Sequence, residues 1–205
     1  MKTILVTAFE PFGGRARNAS EAALRALPRR LAAGFRLHKR LLPVEAGRAS
    51  EAIAQAIDEI VPDAVVCLGE AARDALCVEQ VAYNERRYPI PDNAGRTFDG
   101  SPIDPDAPPL YRATLPVEAM VILMQATGVP ARLSDDAGRY LCNEALFSAL
   151  NHLTKRGMAI PAGFIHVPLL PETAKEDQPS LPTKETVRGV LAALMALIIV
   201  YRRTR

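Results

Sequence analysis

A chain of 205 residues is enough for one ordinary domain, able to bury about 70% of the surface its unfolded form exposes, so neither a disulfide nor a metal is needed as a staple. Its 25 Lys and Arg are interspersed with 23 Asp and Glu, a balance that argues against a polyanionic partner, so no nucleic acid is expected as a ligand. Cys67, Cys77 and Cys142 are an odd number in no CxxC spacing, with few histidines near them. That speaks against a disulfide framework and a zinc cluster, and leaves a single reactive thiol in a reducing compartment.

In chain order, the start has too short an apolar run before Glu10 for a secretory leader and reads as a strand over Thr3–Thr7. A cytoplasmic protein is expected. Ser20–Leu31 carries Leu24, Leu27 and Leu31 on one helical face, Arg36–Leu42 reads as a strand, and Gly47–Ile60 carries Ile53, Ile57 and Ile60 at helical spacing. Ala64–Leu68 is the next strand. From Glu70 to Pro116, prolines at 89, 91, 102, 105, 108, 109 and 116 rule out long helices or central strands on this reading. A long irregular segment of this kind in a compact domain is usually functional. Helices follow at Val117–Ala126, Leu141–Lys155 and Lys184–Tyr201, the last preceded by Pro179 and Pro182, with strands at Ala131–Ser134 and Ala162–Val167 between them. The apolar stretch Val190–Tyr201 is about half the roughly 20 residues needed to span a bilayer and suits a buried terminal helix. The alternation predicts an α/β domain with helices on both faces of a largely parallel sheet. No composition shift divides it, so one domain over 1–205 is expected.

Cys142 follows the strand Ala131–Ser134 and a Gly-containing turn, at the start of a helix. Peptide dipoles and unpaired N–H groups there favour a thiolate and can cradle an oxyanion. A small buried hydrophobe is the other reading of such a cysteine. His166 closes Gly163-Phe-Ile-His-Val-Pro168 at the carboxyl end of a strand, where open α/β sheets collect ligands. If the strands leading to Cys142 and His166 are neighbours, thiol and imidazole meet as a nucleophile–base pair. A hydrogen-bonded structural histidine is the alternative. His38, mid-strand, and His152, late in a helix, have weaker claims. Spacing does not choose an orienting acid among the 23 carboxylates, although Glu79, with apolar neighbours, is an unusual place for an unpaired one.

Several separated segments stand in order over almost the whole chain: Thr7-Ala-Phe-Glu-Pro-Phe-Gly-Gly14, Leu42-Pro-Val44, Glu79-Gln-Val-Ala-Tyr-Asn84, Ile90-Pro-Asp-Asn93, Ser134–Asn143 and Gly163–Pro168. In that order they resemble TGFEPFGG, LPV, ERVAIN, IPDN, SNTAGxxxCN and GFIHVP of the pyroglutamyl-peptidase I (pyrrolidone-carboxylate peptidase) family. The resemblance implies a cysteine peptidase on a three-layer α/β/α sandwich of the phosphorylase/hydrolase-like kind, with a Cys-His-Glu triad carried onto Cys142, His166 and Glu79. It implies an aromatic and apolar pocket for the pyroglutamyl ring, mapping onto Phe9, Phe12, Tyr140 and Leu141, with a pyroglutamyl-peptide substrate, no metal or organic cofactor, and assembly into homotetramers.

The chain departs from the family pattern at Pro89, where the family has an arginine before IPDN, with Arg87 and Arg86 lying just upstream. It also departs at Ala8, in Ser134–Gly138, and in Glu70–Leu76, which lacks a glycine-rich pattern. A lactam-binding relative with weak or no turnover, and a cysteine hydrolase for another N-acyl amide, are the competing readings.

Overall fold

The strand Ala64–Glu70, β3, is buried at every position, because a strand inside a sheet covered on both faces has no polar side to offer water. Around it the computed structural model, which describes residues 2–31 and 34–203, builds a six-stranded sheet. Met1 and the last two positions of the expected domain lie outside the described residues. The other strands are β1 (Lys2–Phe9), β2 (Phe35–Leu42), β4 (Leu76–Glu79), β9 (Ala131–Ser134) and β10 (Ala162–Val167), in the order β2-β1-β3-β10-β4-β9. All adjacent pairs are parallel except β10 with β4. The short strands β5 (Val81–Tyr83) and β8 (Leu110–Arg112) pair with each other, as do β6 (Arg86–Tyr88) and β7 (Phe98–Ser101), outside the main sheet.

Strand alternation sends side chains to two cores. Ile4, Val6, Val66, Leu68, Val78 and Ile165 pack with α1 (Ala19–Ala26), α3 (Val117–Ala126) and α5 (Thr183–Arg203). On the other face Leu5, Val65, Cys67 and Phe164 pack with α2 (Arg48–Ile60) and α4 (Leu141–Lys155). The result is the expected three-layer α/β/α sandwich with a mostly parallel sheet. No helix of the described residues is long and apolar enough to cross a membrane.

Three expectations change. The helix expected over Ser20–Leu31 stops at Ala26, because Pro28 drives Leu27 to an extended ψ of 145°; its start is capped by Asn18, which accepts the Ser20 N–H. The segment Glu70–Pro116 does contain a central strand, β4: its prolines begin only at Pro89, and Leu76–Glu79 is buried throughout. The strands preceding Cys142 and closing on His166 are not neighbours, since β4 lies between them and β9 runs antiparallel to β10. Thiol and imidazole meet by another route, described next.

Candidate active site

Register places the first pair. Phe164 sits directly opposite Glu79, and directly opposed residues of an antiparallel pair share a face. His166, two residues along from Phe164, points to that face as well. Its Nδ1 lies 2.7 Å from Glu79 Oε1, with His166 only 3% exposed and Glu79 fully buried. Among the described residues Glu79 Oε2 has no hydrogen-bond partner, so the carboxylate is committed through one oxygen. An acceptor at Nδ1 fixes the proton there and leaves Nε2 as the base.

Cys142 arrives from across the sheet. After β9 the chain turns through Gly138, at φ 76°, a left-handed conformation suited to glycine; the Gly138 N–H is held by Asp136 Oδ1 at 2.9 Å. Tyr140, extended, caps α4, and the first N–H bonded back along this helix is that of Glu144 to the Tyr140 carbonyl at 3.1 Å. The N–H groups of Leu141, Cys142 and Asn143 therefore precede the intrahelical ladder and face forward beside the thiol. Asn143 anchors this turn, accepting the Tyr83 N–H and donating to the carbonyls of Tyr83 and Glu85. Cys142 Sγ comes to rest over Gly69 of β3, which is paired with His166: a Cβ on Gly69 would stand 2.7 Å from that sulfur. The intervening β4 thus supplies the acid, and a glycine in β3 makes room for the nucleophile.

Burial pushes the Cys142 thiol up to about 12, the Glu79 charge adds to the rise, and Arg73 opposes it. That direction opposes spontaneous ionisation and makes a base that takes the proton in the reaction useful to this thiol. Cys67, inside β3, is pushed up to about 12 by burial as well, while Cys142 alone of the three cysteines is partly open.

Cys142 and His166 border a cavity of about 250 Å³, and Phe9, Phe12, Tyr140 and Leu141 all line it. Phe12 and Tyr140 face each other with ring centres 6.0 Å apart, and Tyr88 supports Tyr140 edge-on at 4.6 Å. The segment Ile90–Asn93 works as a clasp for these walls. Tyr140 donates its hydroxyl proton to the Pro91 carbonyl, Asp92 accepts the N–H groups of Ala46, Ala94 and Arg96, and Asn93 binds Glu10 Oε1 and the Pro11 carbonyl. The remaining histidines lie elsewhere: His152 pairs with Asp58 at 2.9 Å, and His38 sits on β2 away from the cavity.

Sequence reasoning missed Gly69, Glu70 and Arg73. Glu70 is buried in the cavity wall, accepting from Arg15 and from the Ala19 N–H at the start of α1, both at 2.7 Å. A glycine inside an apolar strand signals a close approach by another group, which would have singled out Gly69. Nothing local marks the other two, whose partners are distant in sequence. Arg86, upstream of Pro89, faces the buried Glu144 at 2.7 Å, and Arg87 pairs with Glu85 at 2.9 Å, so neither lines the cavity.

An open-sheet α/β scaffold that brings a thiol, a carboxylate-held imidazole and the amino end of a helix to one apolar cavity defines a cysteine hydrolase architecture. The chain belongs to the pyroglutamyl peptidase family, whose model matches residues 2–200. Pyrrolidone-carboxylate peptidase of Mycobacterium tuberculosis H37Rv is 39% identical over 206 residues, covering 97% of this chain and 93% of that one. That of Brevibacillus brevis is 36% identical over 201 residues, covering 97% and 94%. Among solved structures, pyrrolidone carboxyl peptidase from Thermococcus litoralis superposes with a TM-score of 0.94 at 33% identity, covering 100% of this chain and 97% of the other. A variant of the Pyrococcus furiosus enzyme gives 0.93 at 33%, covering 97% and 99%.

Proposed function

We propose that this cysteine peptidase removes amino-terminal pyroglutamyl residues from peptides through an acyl-thioester, with Cys142 as nucleophile, His166 as base and acid, and Glu79 as the orienting acid. The observation that carries this reading is the 2.7 Å contact of buried Glu79 Oε1 with Nδ1 of His166, which with Cys142 lines the apolar cavity. Phe9, Phe12, Tyr140 and Leu141 clasp the lactam ring: a neutral ring suits an apolar cleft with few hydrogen-bonding groups.

As Cys142 Sγ attacks the pyroglutamyl carbonyl carbon, its proton passes to His166 Nε2, and the N–H groups at the start of α4 receive the oxyanion. Glu79 stabilises the imidazolium formed. Collapse of the tetrahedral adduct breaks the C–N bond, and the amine departs with the proton from His166. Water, deprotonated by His166, then attacks the thioester; the C–S bond breaks, pyroglutamate leaves and the thiol regains its proton. The full chain works as one catalytic domain, in the cytoplasm, as a homotetramer; sedimentation equilibrium tests the last, a monomer or dimer mass counting against it.

The test is release of aminocoumarin from pyroglutamyl-, prolyl- and glutaminyl-aminocoumarin compared side by side. Turnover confined to the pyroglutamyl compound supports the assignment. Preference for either of the others transfers the protein to a different N-acyl amide, and ring binding without turnover of any makes it a lactam binder.

A further inference from the structure

Glu79 is the most exposed to electrostatic trouble of the groups in this site. It is a fully buried carboxylate with one oxygen partnered among the described residues, and two more negative groups, Glu70 and the ionising Cys142, line the cavity that its partner His166 borders. Glu70 is offset by Arg15 at 2.7 Å. The cation beside Glu79 is Arg73, in the loop between β3 and β4, whose Nη1 stands 3.3 Å from the same Oε1 that faces His166. The fork is spent in three directions: Nη1 also donates to Ser134 Oγ at 2.9 Å, and Nη2 to the Asp136 carbonyl at 2.6 Å. Ser134 ends β9 and Asp136 lies in the turn that delivers Cys142, so one guanidinium ties the acid to the segment carrying the nucleophile. Arg73 is also the one lysine or arginine among the described residues lining the cavity.

We infer that Arg73 is a positioning residue of this site: it fixes the Glu79 carboxylate against His166, ties it to the turn before Cys142, and supplies the positive charge that lets the thiol ionise. The inference rests on the roles proposed above for Cys142, His166 and Glu79. A planar fork suits the task, since three acceptors on two chain segments can be met at once only by divergent N–H groups. The groups facing the thiol are few. Glu79 from β4 and Glu70 and Cys67 from β3 oppose its ionisation, whereas Arg73 favours it. His166 from β10 borders the same cavity, and Tyr140 precedes the helix. Asp135 and Asp136 are held by Gln80 and Arg139.

The test reads the pH dependence of Cys142 alkylation by iodoacetamide, located by mass spectrometry, with thermal melting of each variant alongside. This readout needs no substrate, so it decides the role of Arg73 even if pyroglutamyl-aminocoumarin is not turned over. Arg73→Gln keeps a donor for Ser134 but loses the charge, and its alkylation midpoint is expected to move up by about one pH unit. A folded Arg73→Gln whose profile superimposes on that of the unaltered protein overturns the inference, because a purely structural arginine would change melting alone. Arg73→Lys keeps the charge and loses the fork. Its midpoint is expected to stay near that of the unaltered protein while kcat on pyroglutamyl-aminocoumarin falls about tenfold; should Arg73→Gln fail to fold, a midpoint in Arg73→Lys that shifts by a full unit, or an unchanged kcat, refutes the inference.

Discussion

Replacing Gly69 by alanine puts a single methyl group where the nucleophile rests. The added Cβ would stand 2.7 Å from Cys142 Sγ and 2.5 Å from Phe164 Cζ. Ordinary contacts between such atoms are about 3.5–4.0 Å, so the sulfur and the ring must each retreat by about 1 Å. Phe164 is fully buried, and the ring beside it belongs to His166, with centres 4.8 Å apart. The imidazole is thus pressed as the sulfur is displaced. A misplacement of about 1 Å in a reacting geometry costs about a hundredfold in rate, and overpacking of a filled core costs about 1–3 kcal/mol. Gly69→Ala should therefore lower kcat/KM on pyroglutamyl-aminocoumarin by about a hundredfold, chiefly in kcat. Its Tm should fall by about 2–12 °C, from about 2–4 °C per kcal/mol for a domain of this size. Folded Gly69→Ala with the kinetics of the unaltered protein would refute the placement of Cys142 over β3.

Glu79→Gln should lower kcat by about three to four orders of magnitude with little change in KM, because an amide can present N–H to Nδ1 and select the wrong tautomer; steady-state kinetics in which only KM moves would make Glu79 a binding residue. Val61 closes α2 in a left-handed conformation, φ 46°, with its side chain 67% exposed. Val61→Gly should relieve about 1 kcal/mol and raise Tm by about 2–4 °C in calorimetry. Cys67 is raised by burial from its usual 9.0 to about 12. Below pH 9 the thiol is protonated in both states; between about 9 and 12 only the unfolded chain ionises, so stability falls as pH rises, by about 1.4 kcal/mol per pH unit for this thiol. Urea melts from pH 9 to 11 should show a shallower decline in Cys67→Ala, on top of a cavity penalty already present at pH 7.

Strand β3, the match of Ala131–Ser134 and Ala162–Val167 to β9 and β10, and helices Val117–Ala126 and Leu141–Lys155 were legible because periodicity and turn residues are local signals. So were the motif-bearing residues Cys142, His166 and Glu79. Strand β4 was not: four residues carry little periodicity, and their burial comes from pairing with β10, some 85 residues away in sequence, as the contact of Glu79 with His166 at a separation of 87 shows. The same limit hid Arg73, which reads as a solvated loop arginine until Ser134, 61 residues on, comes beside it. Pro89 stands where the family pattern has an arginine, with Arg86 and Arg87 just upstream. Both arginines are engaged elsewhere, and the charge beside Glu79 comes from the opposite side of the sequence motif.

The covalent intermediate tests the central claim most directly. Mixing the protein with excess pyroglutamyl-aminocoumarin, quenching in acid during steady turnover and mapping the digest by mass spectrometry should find one pyroglutamyl group on the peptide carrying Cys142, lost on treatment with hydroxylamine and missing from an inactive Cys142→Ala. Continued turnover by Cys142→Ala, or a pyroglutamyl group mapped to Cys67 or Cys77 instead, would contradict it.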